Sequence, residues 1–232
     1  MNVHFNEWDS LAETRYEQII SGNDITYQHI ILPNILELTQ SGKRIVDIGC
    51  GIGVATSAVS KAGNFILGID PSIKSIHVAR RTTPGIRFEC SSAQDFYSTE
   101  KFDTALLNMV LHNTSSPEEV INSAKRLIHS HGEIVVSICD PDEWPVYKSL
   151  DVQNENRSCQ CYRIPFTITN DQNAVHETSY YHRSRDWYLS LFDCQNLIVL
   201  DERSPMPSSN ARQDYGFNWR APRIWFVKLG LA

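Results

Sequence analysis

Residues 10–40 carry a helical rhythm. Leu11, Arg15 and Ile19 fall on one face of a first predicted helix, and Ile30, Ile31, Ile35 and Leu38 on one face of a second, with Pro33 near its start. After Ser41-Gly42 the rhythm changes. Short apolar runs at 44–48, 65–69, 86–90, 104–109 and 133–139 read as strands, and the amphipathic stretches 54–62, 73–81 and 117–129 between them read as helices. The last of these opens Ser115-Ser116-Pro117-Glu118-Glu119, with a cap candidate, a proline in the first turn and acids at the positive helix end. Strands alternating with helices of this length predict a parallel sheet covered on both faces.

The alternation breaks near Asp140. From there to about Tyr181 the chain is polar and irregular, with two predicted strands, 161–169 and 174–181, around the turn Asn170-Asp171-Gln172-Asn173. A helix at 185–192 and strands at 197–201 and 224–229 close the chain. The connection 202–223 between those strands holds Pro205, Pro207 and Pro222.

Composition narrows the class. The 232 residues suit one large domain, expected to span 1–232, and 41% apolar with 10% aromatic residues excludes disorder as the main state. Lysine and arginine number 21 against 27 acids, a net charge of −6, which weighs against a broad phosphate-binding surface and makes a nucleic-acid partner unlikely. Of the six cysteines, Cys159 and Cys161 form a C-x-C pair with no second pair at zinc-site spacing, so no metal is expected. The opening MNVHFNEWDS has neither a basic leader nor an apolar core, and no apolar run reaches the ~18 residues of a membrane span. The expectation is a cytoplasmic protein with reduced thiols and no membrane partner.

The chemistry is concentrated in Ile45-Val46-Asp47-Ile48-Gly49-Cys50-Gly51-Ile52-Gly53. A predicted strand runs into three glycines at alternate positions and then directly into a helix, so the backbone turns sharply and a ligand can lie against bare main chain. The third glycine comes one residue too early for G-x-G-x-x-G, and no Gly-Lys-Ser/Thr follows to make a P-loop. Seventeen residues on, the second strand ends in Gly68-Ile69-Asp70, where a carboxylate can accept both hydroxyls of a ribose. The third strand ends near Ser91-Ser92-Ala93-Gln94-Asp95 and the fourth at Asn108, all on one edge of the predicted sheet.

Taken together, Asp-x-Gly-x-Gly-x-Gly, the Asp70 strand end, Ser92-Ala93-Gln94-Asp95, and Phe102-Asp103 leading to Asn108-Met109-Val110-Leu111-His112 resemble a class I S-adenosylmethionine-dependent methyltransferase of the small-molecule type. The resemblance is strong over about 40–140 and extends more weakly to 180–205 and 221–229. It implies an α/β fold with a doubly wound, mostly parallel, seven-stranded Rossmann-like sheet. It also implies an N-terminal helical cap over 1–40 and a small substrate lid, 141–182, within the same domain. S-adenosylmethionine is the implied cofactor. Asp47, Gly49, Cys50, Gly51 and Gly53 would flank its methionine part, Asp70 with Pro71 the ribose, and Ala93-Gln94 the adenine edge, with Asn108 and the cap tyrosines Tyr16 and Tyr27 completing the site. Ser92 and Gln94 stand where the family often has acids, and both still hydrogen-bond an exocyclic amine.

The implied reaction moves a methyl group to an oxygen or nitrogen of a small metabolite. His112, following the fourth strand, is the candidate base, since histidine titrates near working pH. Trp144, Tyr147, Tyr162 and His182 are candidates for the acceptor pocket, where aromatic side chains suit a flat substrate. Two alternatives compete: a methyltransferase acting on tRNA or another nucleic acid, and a homologue that binds the cofactor without methylating.

Overall fold

In the computed structural model, described for residues 5–148, 150, 160–167, 175–209 and 220–232, the alternation becomes a seven-stranded sheet. Helix α1 (Phe5–Ile20), a π-helical turn (Tyr27–Ile31) and α2 (Leu32–Thr39) precede β1 (Arg44–Ile48). Then follow α3 (Val54–Lys61), β2 (Phe65–Asp70), α4 (Ile73–Thr82), β3 (Arg87–Cys90) and β4 (Phe102–Asn108). A 3₁₀ turn (Leu111–Asn113) leads to α5 (Pro117–Leu127), β5 (Ile128–Cys139) and a short α6 (Glu143–Tyr147). The remainder is β6 (Gln160–Thr167), β7 (Val175–His182), α7 (Arg185–Cys194), β8 (Leu197–Arg203) and β9 (Ile224–Leu231).

The sheet order is β3-β2-β1-β4-β5-β9-β8. Strands β1 to β5 run parallel, and β9 lies antiparallel between β5 and β8. The order reverses direction between β1 and β4. In open α/β sheets the crevice outside the carboxyl ends at such a switch point is where ligands bind. Register brings Asp47 opposite Gly68 and Leu106, and Asp70 opposite Cys90, so the chemistry-bearing strand ends share one edge.

The central strands are buried on both faces because helices cover both. Side chains alternate across the sheet, as the two-residue period of a strand requires. Val46, Ile48, Ala105, Leu107 and Val136 pack toward α5 and α7, whereas Ile45, Ile66, Leu106 and Val135 pack toward the N-terminal helices and α3. Strands β6 and β7 form a separate two-stranded hairpin. Glu7 of α1 ties that hairpin down, accepting from Arg163 and from the Ser179 main-chain N–H at 3.1 Å.

The structure departs from the periodicity at identifiable points. The helix expected to reach residue 129 stops at Leu127, because Ile128 goes extended to pair with Phe102, so β5 begins five residues before the predicted 133. Strand β4 ends one residue early, since Met109 adopts φ +60, a left-handed conformation that leaves the ladder. The stretch after Asp140 contains α6, whose Trp144 main-chain N–H bonds to Asp140 O at 2.9 Å. The predicted hairpin centre, 170–173, and Cys159 lie outside the described residues.

Candidate active site

The glycine loop is anchored from both sides. Main-chain N–H groups of Gly49 and Cys50 donate to Ile69 O at 2.8 and 3.0 Å, binding the end of β1 to β2. The three glycines serve different ends. A Cβ on Gly49 would meet Val110 at 2.6 Å, and one on Gly53 would meet Ala79 and Phe88, both at 2.9 Å, so these two positions are closed by packing. At Gly51, φ is +52 and nothing lies within 4 Å of the Cβ position. This is the open cradle of bare backbone that the strand-glycine pattern predicts. Cys50 turns its thiol inward against Ile76, Ala79 and Phe88 and has no side chain to offer a ligand.

Two carboxylates flank the cradle. Asp70, half-buried at the end of β2, accepts the Gly51 N–H on Oδ2 at 2.9 Å and the Ser72 N–H on Oδ1 at 2.8 Å. Asp47 is 1% exposed, accepts the Thr56 hydroxyl on Oδ2 at 2.6 Å, and has no partner for Oδ1. Burial pushes the Asp47 carboxyl up to about 7; the Thr56 hydroxyl opposes the rise and the Asp70 charge adds to it. Burial likewise raises Asp70 to about 6 against the two main-chain N–H groups. Neither carboxylate has an ion-pair partner among the described residues. A buried acceptor without a donor is costly, so the orphaned Asp47 oxygen points to a donor supplied by a ligand.

Around this centre the other predicted residues fall unevenly. Tyr27, on the π-helical turn, is buried near Asp47; burial drives its phenol upward, the charge of Arg15, which lies over its ring at 5.7 Å, opposes the rise, and the Asp47 charge adds to it. Tyr16 packs on the apolar cluster beneath the N-terminal helices. Pro71, half-buried, follows Asp70, with Cys90 Sγ 3.8 Å from its carbonyl oxygen. Ala93 is buried, and Gln94 Nε2 donates to Glu119 at 3.0 Å. The Arg126 guanidinium fixes that segment through the carbonyls of Ala93 (3.2 Å), Gln94 (3.4 Å) and Phe96 (2.9 Å). Asn108 Oδ1 accepts the Ser137 hydroxyl at 2.7 Å, which sets the end of β4 against β5.

Beyond Asn108 the left-handed turn at Met109 and the 3₁₀ turn carry His112 into the interior, 5% exposed. Its Nε2 lies 3.6 Å from Cys139 Sγ, and its Nδ1 has no partner. Burial, helped by the nearby Arg183 charge, pushes this imidazole down to about 3, far from the ordinary histidine range assumed from sequence. His112 is therefore neutral at physiological pH. Tyr180 of β7 covers it at a ring-centroid distance of 5.8 Å, with Tyr162 at 6.5 Å and His182 at 6.2 Å on Tyr180's other sides. The Tyr180 hydroxyl reaches His182 Nδ1 at 3.5 Å. Trp144, Tyr162 and Met109 pack around Cys139, Ile164 and Tyr180. The structure thus gathers His112, Trp144, Tyr162 and His182 about Tyr180, which sequence reasoning missed. The signal was present in the hairpin pairing, because Tyr162 opposite Tyr180, two residues from His182, places all three on one face. The side chain of Tyr147 lies outside the described residues. Among those residues no cluster of three His, Cys, Asp or Glu is placed to hold a metal ion, and no helix is long and apolar enough to cross a membrane.

A family model described as a methyltransferase domain matches residues 39–188. A ubiquinone biosynthesis O-methyltransferase of Actinobacillus pleuropneumoniae is 28% identical over 125 residues, 47% of this chain and 53% of that protein. The chain spans about half the length of the curated relatives of this kind that it matches. An S-adenosylmethionine-dependent methyltransferase from Mesorhizobium loti superposes with TM-score 0.63 at 19% identity, covering 85% of this chain and 95% of that one. The 1,6-didemethyltoxoflavin-N1-methyltransferase of Burkholderia thailandensis, with bound 1,6-didemethyltoxoflavin and S-adenosylhomocysteine, gives TM-score 0.60 at 14% identity, covering 99% of this chain and 90% of that one.

Proposed function

The chain belongs to the methyltransferase-domain family, and on that premise we propose that it transfers the methyl group of S-adenosylmethionine to an oxygen or nitrogen of a small-molecule acceptor held under the β6–β7 hairpin. The observation that carries this reading is the pair of carboxylates without a cationic partner among the described residues, Asp47 with an orphaned Oδ1 and Asp70 bound to the Gly51 N–H of the open cradle. Asp70 takes the ribose hydroxyls on the lone pairs left free by Gly51 and Ser72, and Asp47 takes the α-amine on its orphaned oxygen. The N-terminal helices α1 and α2, with the π-helical turn between them, close the methionine end through Tyr27, and α6 with the β6–β7 hairpin walls the acceptor. The unpaired cysteines described here suit the reducing cytoplasm.

When bound, the cofactor supplies the sulfonium that gives up the methyl group. This chain's own residues hold the acceptor in line and keep water out. In the tautomer that keeps its proton on Nε2, toward Cys139 Sγ, His112 Nδ1 has a free lone pair to take the acceptor's proton. A hydroxyl attacking the methyl becomes a far stronger acid than imidazolium as the new bond forms, so a weakly basic nitrogen suffices there.

Ligand binding should raise the thermal midpoint, by about 2.7 kcal/mol of added stability when cofactor exceeds its Kd a hundredfold. Both S-adenosylmethionine and its demethylated product are expected to do so, and Asp70→Ala to remove most of the shift while the protein stays folded. A shift in Asp70→Ala equal to wild type would relocate the ribose site. The acceptor assay is a metabolite pool incubated with protein and cofactor, read as a gain of about 14 mass units. Relatives that methylate oxygen and nitrogen make hydroxyls and amines equal candidates in that pool.

Binding should also depend on pH with a definite sign. Asp70 at about 6 and Asp47 at about 7 are part-protonated in the empty protein near neutrality. Hydroxyl donors and an ammonium favour the ionised forms, so binding releases protons and affinity falls as pH drops from about 8 to 5. Calorimetry in two buffers of unlike ionisation heat reads the released protons directly; a flat affinity with no proton release would contradict it.

A further inference from the structure

The residue that follows the β7 strand has a buried charge the proposed reaction leaves unused. Arg183 is 3% exposed and has no carboxylate partner among the described residues. Its guanidinium instead donates to three main-chain carbonyls of one segment: Leu111 O at 3.4 Å, Thr114 O at 3.0 Å and Ser115 O at 3.2 Å. Its Cζ lies over the rings of Tyr181 and Trp187, 5.5 and 5.0 Å from their centroids. Nε has no partner. Burying an arginine without a counter-charge is expensive, and the cost falls at the segment that carries His112.

The strand period explains the division of labour. Tyr180 and His182 face the His112 cluster, while Tyr181 and Arg183 lie one residue out of phase, Arg183 holding the segment by its carbonyls with Tyr181 against the guanidinium. One element, β7 with its C-terminal extension, therefore supplies both the cover over the imidazole and the clamp on the backbone that carries it. Three carbonyls spread over five residues need the fixed fork of an arginine; a lysine point charge meets one or two of them. We infer that Arg183 is the positioning residue of the acceptor site, locking the 111–115 segment to the hairpin so that His112 Nδ1 is held toward the acceptor. This rests on the reading that the acceptor lies beside His112. The uncompensated charge also acts on the imidazole in the sense that keeps it neutral.

The test needs no acceptor. Full-length wild type, Arg183→Met and Arg183→Lys are compared with S-adenosylhomocysteine bound, by amide hydrogen exchange and by the ring-nitrogen signals of ¹⁵N-histidine. In wild type, His112 should show one neutral tautomer. In Arg183→Met, exchange at the amides of 111–115 should rise about tenfold or more, and the His112 signals should broaden or split between tautomers. The cofactor-induced thermal shift should stay, since none of Arg183's partners touches Asp47, Gly51 or Asp70. A role in bulk stability alone would lower the melting point of the free protein without moving the His112 signals of the folded fraction. Arg183→Lys, which keeps the stem and the charge, should fold and still show the raised exchange; it decides the matter if the methionine variant does not fold. Wild-type exchange over 111–115 with an unchanged tautomer, in whichever of the two folds, overturns the inference. Absence of any thermal shift in wild type would instead strike the proposed cofactor site and leave the exchange result standing.

Discussion

Gly51→Val is expected to leave cofactor binding undetectable while the sheet remains intact. In the protein as it stands, nothing lies within 4 Å of where the new Cβ would sit, so the fold has room for it. The cost to the fold is backbone strain, since φ is +52 and a branched residue in the left-handed region loses about 1–2 kcal/mol. On the proposed reading that room is the surface against which the cofactor would lie, beside the Asp70 bridge and the orphaned Asp47 oxygen, and a valine would fill it. Gly53→Val makes the contrast. There the Cβ meets Ala79 and Phe88 at 2.9 Å, so overpacking of about 1–3 kcal/mol adds to the strain at φ +76. Calorimetry with S-adenosylhomocysteine and a thermal melt separate the two. Gly51→Val should lose binding with a drop of a few degrees, and Gly53→Val should lose more stability. Near-normal affinity in Gly51→Val would reduce the glycine triplet to a turn.

That contrast also marks how far sequence reasoning reaches. The strand-glycine-helix pattern is local, and Asp70 follows from it by counting to the next strand end, so the sheet edge proposed for the cofactor was legible as structure. The separate duties of Gly49, Gly51 and Gly53 were not, because they depend on what approaches from Val110, Ala79 and Phe88, none of them neighbours in the chain. The π-helical turn that brings Tyr27 to Asp47 has no two- or four-residue periodicity to betray it. The early start of β5 is a tertiary choice: Ile128 is apolar enough to continue a helix, and pairing with Phe102 wins. His112 shows the same limit in its chemistry. Its position after β4 was visible, but its ionisation depends on Tyr180 and Cys139 sealing it from water and on Arg183 beside it.

His112→Ala should therefore show two effects that an exposed histidine would not. The first is catalytic. With an acceptor identified by its mass gain, turnover should fall by about 10²–10⁴-fold, the usual worth of a positioned proton acceptor. Cofactor affinity should hold, since His112 touches none of the glycine-loop contacts. Because the imidazole is already neutral well below neutrality, wild-type turnover measured with the cofactor kept saturating at every pH, which removes the Asp47 and Asp70 dependence of binding, should show no acid limb near the ordinary histidine pKa of about 6.5. The second effect is on stability and needs no substrate. The folded-state value, about 3, lies below the unfolded one, so the unfolded chain binds more protons between the two. The stability contributed by keeping His112 neutral is full above about 6.5 and is lost as pH falls toward 3, amounting to a fall of about 2 kcal/mol between pH 7 and pH 5. His112→Ala removes that dependence, so the stability gap between wild type and variant should shift by this amount in favour of the variant on acidification. Urea midpoints at the two pH values measure it. An unchanged gap would mean that the ring is open to water, and an acid limb near 6.5 in the turnover profile at saturating cofactor would mean the same. Either result would return His112 to an ordinary titrating base and remove the argument that this site favours proton transfer late in the methyl step.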